Sequence, residues 1–140
     1  MTDMKRLFLA AAAALVTLAP AASAQRSIDG TYNDPGGYVE ITVDRCGNAR
    51  CGTISRIVKV KPGETRFDRH NDDRSLRDRP ILGIRVLQNL RWDDGAWRGR
   101  VYNPEDGDTY RVEVRPARGG ALEVKGCVAV FCKTQTWPAA

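Results

Sequence analysis

The chain has 140 residues, with 22 Lys plus Arg against 17 Asp plus Glu, a formal charge of +5, 42% apolar residues and 28% charged ones. That is room for one domain, and a composition too rich in apolar residues for a disordered chain. A single His excludes a multi-histidine metal site, and 13 Gly with 7 Pro exclude a collagen-like or low-complexity architecture.

Residues 1–24 read as a signal peptide. Lys5 and Arg6 form a positive start, Leu7 to Leu18 is an apolar run broken only by Thr17, and Ala22-Ser23-Ala24 is a small-residue cleavage site. The run is shorter than the roughly 20 residues that span a bilayer. No Cys follows the cleavage site for lipid attachment; the first is Cys46. The expected product is residues 25–140, a single domain, periplasmic or secreted, with no transmembrane segment after processing. Processing removes Lys5, Arg6 and Asp3 and leaves +4. So mild a charge suits an anionic envelope surface or ligand, and together with export it argues against nucleic acid.

From residue 28 onward the apolar period is close to two. Gly30-Thr31-Tyr32 opens a short strand. Val39, Ile41 and Val43 alternate with Glu40, Thr42 and Asp44. Thr53 to Lys59 returns as a second long strand, and Ile81 to Leu87 is a further β-rich run. Asp93-Asp94-Gly95 is a turn, followed by a strand over Trp97 to Tyr102. The cluster Asn103 to Asp108 turns again before Tyr110, Val112 and Val114 alternate with Arg111, Glu113 and Arg115. Pro116 to Gly120 is a turn, Leu122 to Gly126 a strand, and Lys133 to Trp137 closes the chain. About eight short strands joined by turns, with no amphipathic helix, predict an all-β up-and-down antiparallel barrel or a sandwich. Eight strands is the count at which a barrel either fills with side chains or holds one small ligand.

The cysteines form two pairs of equal spacing, Cys46-Gly-Asn-Ala-Arg-Cys51 and Cys127-Val-Ala-Val-Phe-Cys132. Export makes disulfides the default, and four Cys allow three connectivities. Gly47-Asn48 is a turn signal, and a hairpin with a four-residue loop brings its flanking residues into disulfide range. Val128 to Phe131 reads as an apolar loop tip, the alternative being a plain core strand with cross-sheet disulfides; local pairing is favoured for both. The spacing is not CxxC and no His is near, so no metal or cofactor is expected.

The pattern breaks at one long loop, 60–80. Between Glu64 and Arg79 it holds five Arg and five acidic residues, which opposes a phosphate-tracking strip and suits a salt-bridged lid. Asp68 to Asp73 invites a calcium reading, but the sixth and twelfth positions are Asp73 and Arg79 where an EF-hand needs Gly and Glu. Turn capping by Asp68 and Asn71 is preferred. A short helical turn is expected over Ser75 to Asp78, before Pro80. His70 is the one candidate base, and neither Ser55 nor Ser75 lies in a nucleophile motif. No catalytic residues are assigned; the spatial pairing of carboxylates cannot be read from the chain.

Tyr32, Trp97, Tyr102, Tyr110 and Trp137 are the candidate cavity-lining residues, with Trp92 a further strand aromatic. Asp68, Asn71 and Arg79 are the candidate lid residues.

Several motifs together resemble a bacterial family known as domain of unknown function 2147. They are Gly30 with an aromatic two residues on, Cys46-Gly…Cys51-Gly52, Asp68…Asn71 and Arg79-Pro80…Gly83. The rest are Trp97-x-Gly99-x-Val-Tyr102-Asn-Pro104-Glu-Asp-Gly107-x-Thr-Tyr110, Leu122-x-Val-x-Gly126 and Thr134-x-Thr136-Trp137. They cover almost all of the processed chain. Tyr32 stands where the family usually has Trp, and Trp137-Pro138 lacks the Arg that tends to follow. The resemblance implies an exported protein with an eight-stranded lipocalin-like (calycin) barrel, whose early aromatic packs at the barrel bottom. The function expected is non-catalytic binding of a small apolar ligand inside the barrel. The alternative is a cell-envelope interaction module with a filled barrel and no ligand, using the basic surface or the Val128 to Phe131 tip.

Overall fold

The structure is a computed structural model that describes residues 12–19 and 25–140. The basic start and the cleavage site of the signal-peptide reading lie outside the described residues. Among the described residues, no helix is long and apolar enough to cross a membrane.

Eight strands form one antiparallel sheet in chain order. They are β1 (Gly30–Asn33), β2 (Val39–Cys46), β3 (Ala49–Ile57), β4 (Arg85–Asp93), β5 (Ala96–Asn103), β6 (Asp108–Pro116), β7 (Leu122–Val128) and β8 (Phe131–Trp137). The sheet curls until its ends meet: Tyr32 bridges Ala139, the Asn33 N–H donates to the Pro138 carbonyl and the Ala140 N–H to that of Thr31. This is the eight-stranded up-and-down barrel with a long β3–β4 loop.

The seam is short. Beyond Asn33 the chain turns away through Asp34 to Gly37, so Phe131 to Gln135 of β8 pair with β7 alone and border an opening.

Several strand boundaries differ from the sequence expectation. β3 runs from Ala49 to Ile57 rather than from Thr53 to Lys59, because the two-residue Gly47-Asn48 turn starts its pairing at Ala49, and β8 begins at Phe131 rather than Lys133. Ile81 precedes β4, which instead runs on to Asp93 through a bulge where Gln88 pairs Arg100 and Arg91 pairs Arg98. Asn89 takes φ +52° there, and a Cβ on Gly99 would lie 2.5 Å from the Gln88 carbonyl oxygen, so glycine lets the bulge close. In the 60–80 loop, the short 3₁₀ turn is Arg74–Leu76 rather than Ser75 to Asp78, because the Asp73 carboxylate caps it by accepting from the Ser75 N–H.

Both disulfides are local, Cys46–Cys51 and Cys127–Cys132. Neither hairpin has the four-residue loop expected. Cys46 pairs Ala49 and Cys51 pairs Asp44, so the first bond runs diagonally over a two-residue Gly47-Asn48 turn. Cys127 faces Cys132 directly and Val128 faces Phe131, leaving Ala129-Val130 as the turn.

The barrel has one packed end and one open end. At the packed end Ile28, Val43, Leu90, Val114 and Leu122 are at most 1% exposed. The segment before β1 crosses this end. There the Trp97 indole donates to the Arg26 carbonyl at 2.8 Å, the Tyr32 hydroxyl donates to the Ile28 carbonyl at 2.8 Å, and Arg50 bonds Asp29. The Arg50 guanidinium also lies 5.5 Å from the Trp97 ring centre, so an arginine from β3 packs on an aromatic at the barrel bottom.

Candidate functional site

The open end is built by the β1–β2 turn, the β3–β4 loop, the β5–β6 turn and the β7–β8 tip. They surround a cavity of about 740 Å³ that enters the barrel. Alternation in the strands places Ile41, Ile54, Val86, Val101 and Val124 in its wall. Gly126 lies among them, and a Cβ there would meet only Val101, at 3.9 Å. The interior is therefore not filled.

Of the five aromatic candidates, Tyr102, Tyr110 and Trp137 line the cavity. Trp137 pairs Leu122 of the packed end, which sets it at the cavity base. Tyr32 and Trp97 are not in the lining. Their polar tips are bonded to the backbone at Ile28 and Arg26, which turns both rings into the packed end.

Asp68, Asn71 and Arg79 form a cluster on Tyr102. One Asp68 carboxylate oxygen accepts from the Tyr102 hydroxyl at 2.5 Å; the other accepts from the Asn71 amide at 2.9 Å and the Arg79 guanidinium at 2.8 Å. Asp68 is fully buried. The capping role holds for Asn71, whose side-chain oxygen accepts from the Asp73 N–H, but the Asp68 carboxylate is committed to the cluster. Burial and the Asp68 acceptor push the Tyr102 pKa up to about 12. Gly107 completes the contact: at φ +77°, a Cβ there would lie 1.8 Å from the His70 carbonyl oxygen. The loop is thus salt-bridged through Asp68 and Arg79 and pinned to the barrel, and it contributes Phe67 and Ile81 to the cavity.

The mouth carries charge. Lys59, Lys61 and Lys133 border it, with the Lys59 ammonium 4.8 Å from the Tyr38 ring centre. Its acids are occupied. Asp34 accepts from the N–H groups of Gly36, Tyr38 and Val39, Glu64 faces His70 at 3.2 Å, Glu105 faces Lys61 at 3.4 Å, and Asp106 accepts from Tyr110 at 2.5 Å. Donating that bond to the Asp106 carboxylate, with burial behind it, pushes the Tyr110 pKa up to about 12. Among the described residues, no group of three His, Cys, Asp or Glu is placed to hold a metal.

Sequence reasoning did not single out the non-aromatic wall of the cavity, Lys59, Lys133 and Gly126 among it. A signal for Gly126 existed in the Leu122-x-Val-x-Gly126 motif.

A family model described as "Uncharacterized protein conserved in bacteria (DUF2147)" matches residues 26–138. The chain belongs to that family. Among solved structures it is similar to HP1028 from the human pathogen Helicobacter pylori, a protein described as belonging to the lipocalin family. The TM-score is 0.69 and the identity 22%, over 83% of this chain and 84% of that one. The fold is lipocalin-like. No curated protein matches the chain.

Proposed function

We propose that this member of the family is an exported, non-catalytic protein that binds a small apolar ligand in the open end of its barrel. The observation that carries the reading is the cavity of about 740 Å³ with its mainly aliphatic and aromatic wall. That volume lies within the range of small-molecule sites, roughly 300–1,000 Å³. Tyr102, Tyr110 and Trp137 would supply flat apolar faces, and Asp68, Asn71 and Arg79 would hold the wall in shape rather than touch the ligand.

The non-catalytic part rests on how the reactive groups are used. The Asp68 carboxylate has both oxygens taken, and His70 stands half-exposed against Glu64. Ser55 is occupied with Thr42 and the Glu40 carbonyl. Export is supported by the apolar leader and by two disulfides, which persist in oxidising compartments.

Displacement of a fluorescent fatty-acid probe from residues 25–140, with native mass spectrometry of gently extracted protein, tests the reading. Saturable one-to-one binding that competitors reverse is expected. A protein that takes up no apolar probe and leaves the cell with no bound mass would refute it.

A further inference from the structure

The β7–β8 tip stands at the cavity mouth and is the most apolar exposed feature of the fold. Val128, Val130 and Phe131 are 54%, 87% and 78% exposed. The Cys127–Cys132 bond ties the strands directly beneath them, and Arg111 donates to the Ala129 carbonyl from the neighbouring strand. These side chains are therefore held out by a braced hairpin. Val60 and Phe67 add two half-exposed apolar groups on the same end of the barrel.

Cations flank the tip on its own hairpin and on the neighbouring strands. From Val124 to Ala140 the chain contains Lys125 and Lys133 and no acidic residue. Arg111 pairs with Cys127 across the ladder, and Arg100 with Arg111. Among the described residues Arg100, Arg111 and Lys133 make no ion pair. Acids stand nearby as well: Asp106 accepts from Tyr110, Glu105 pairs with Lys61, and Asp108 is exposed at the start of β6.

We propose that the β7–β8 tip inserts its apolar side chains into the headgroup region of an anionic lipid bilayer and sets the cavity mouth against that surface. The shape favours a bilayer over a protein. Stable protein interfaces cover about 800 Å² per partner, whereas a two-residue turn offers a narrow convex point. Interfacial membrane binding needs only a few buried apolar groups backed by cations. If the cavity holds an apolar ligand, this orientation would let it pass between lipid and barrel without crossing water.

Co-sedimentation tests the proposal. Residues 25–140, which contain every strand and both disulfides, are mixed ligand-free with vesicles of phosphatidylglycerol and phosphatidylethanolamine, or of phosphatidylcholine alone. Because no ligand is present, a failed ligand assay leaves this result standing. Binding to the anionic vesicles that weakens with salt is expected. Arg111→Gln with Lys133→Gln should weaken it by about fivefold per charge removed. Val130→Ser with Phe131→Ser should weaken it at least as much while thermal unfolding is unchanged, since these side chains are exposed. No sedimentation, or equal sedimentation of the Ser variant, would overturn the proposal. So would loss of an envelope-protein contact in that variant when the parent ignores both vesicles.

Discussion

Tyr102 on β5 and Asp68 in the β3–β4 loop meet at 2.5 Å, although 34 residues separate them in sequence. This contact fastens the longest loop of the molecule to the barrel. Removing one partner of a buried ion pair costs on the order of 3–5 kcal/mol. Asp68→Ala should fall in that range, because it strands Arg79, Asn71 and Tyr102 together. Arg79→Met should cost less, since the Arg79 side chain is 37% exposed. Tyr102→Phe should cost about 1–3 kcal/mol, since it removes two buried bonds, one donated to Asp68 and one accepted from Asn71. Denaturant unfolding of the three variants measures the order, and an Asp68→Ala cost under about 1 kcal/mol would rule out the clamp.

The same contact makes stability sensitive to alkali. The Tyr102 pKa rises from 10.0 to about 12 on folding, so between those values the native state keeps a proton that the unfolded state has lost. Its contribution is full below pH 10 and disappears as pH rises through about 12. Tyr110 titrates over the same window at a more exposed site. Unfolding free energy measured from pH 9 to 12 should therefore fall, and Tyr102→Phe should make the fall shallower. Parallel curves would contradict this.

Gly107 has no freedom to change. Its φ is +77°, and an added methyl would overlap the His70 carbonyl oxygen. Gly107→Ala combines a left-handed penalty of about 1–2 kcal/mol with displacement of the loop. Limited proteolysis should then cut within 61–80, where the parent resists. Gly37, also at positive φ but with open space around it, is the control: Gly37→Ala carries the conformational penalty alone.

Much of this was readable from the chain. The alternation in β2, β6 and β7 gave the strands, and the motifs at Asp68, Asn71, Arg79 and Tyr102 to Gly107 turn out to be a single cluster. What escaped was three-dimensional. Period two puts Trp97 on one face with Gly99 and Val101 but does not say at which end of the barrel it or Tyr32 packs, because the packed end is decided by the segment crossing at Arg26 to Asp29. The diagonal Cys46–Cys51 bond depends on a register that a two-residue turn sets. The bulge at Asn89 exists because Gly99 lies opposite, a relation between two strands that neither shows alone.

Gly126 offers a direct handle on the cavity. Its Cβ position is open except for Val101 at 3.9 Å, so Gly126→Leu should occupy the cavity with little strain on the fold. Probe affinity should drop by roughly tenfold or more if the ligand needs that volume. Unchanged affinity, with unfolding also unchanged, would place bound probe elsewhere.

The most direct measurement is an amide chemical-shift titration of residues 25–140 with a long-chain apolar probe. Binding within the barrel should move Val101, Tyr110, Val124 and Gly126 together and leave Ile28, Trp97 and Leu122 at the packed end in place. Shifts confined to Val128 through Phe131, or none anywhere, would contradict a ligand site inside the cylinder.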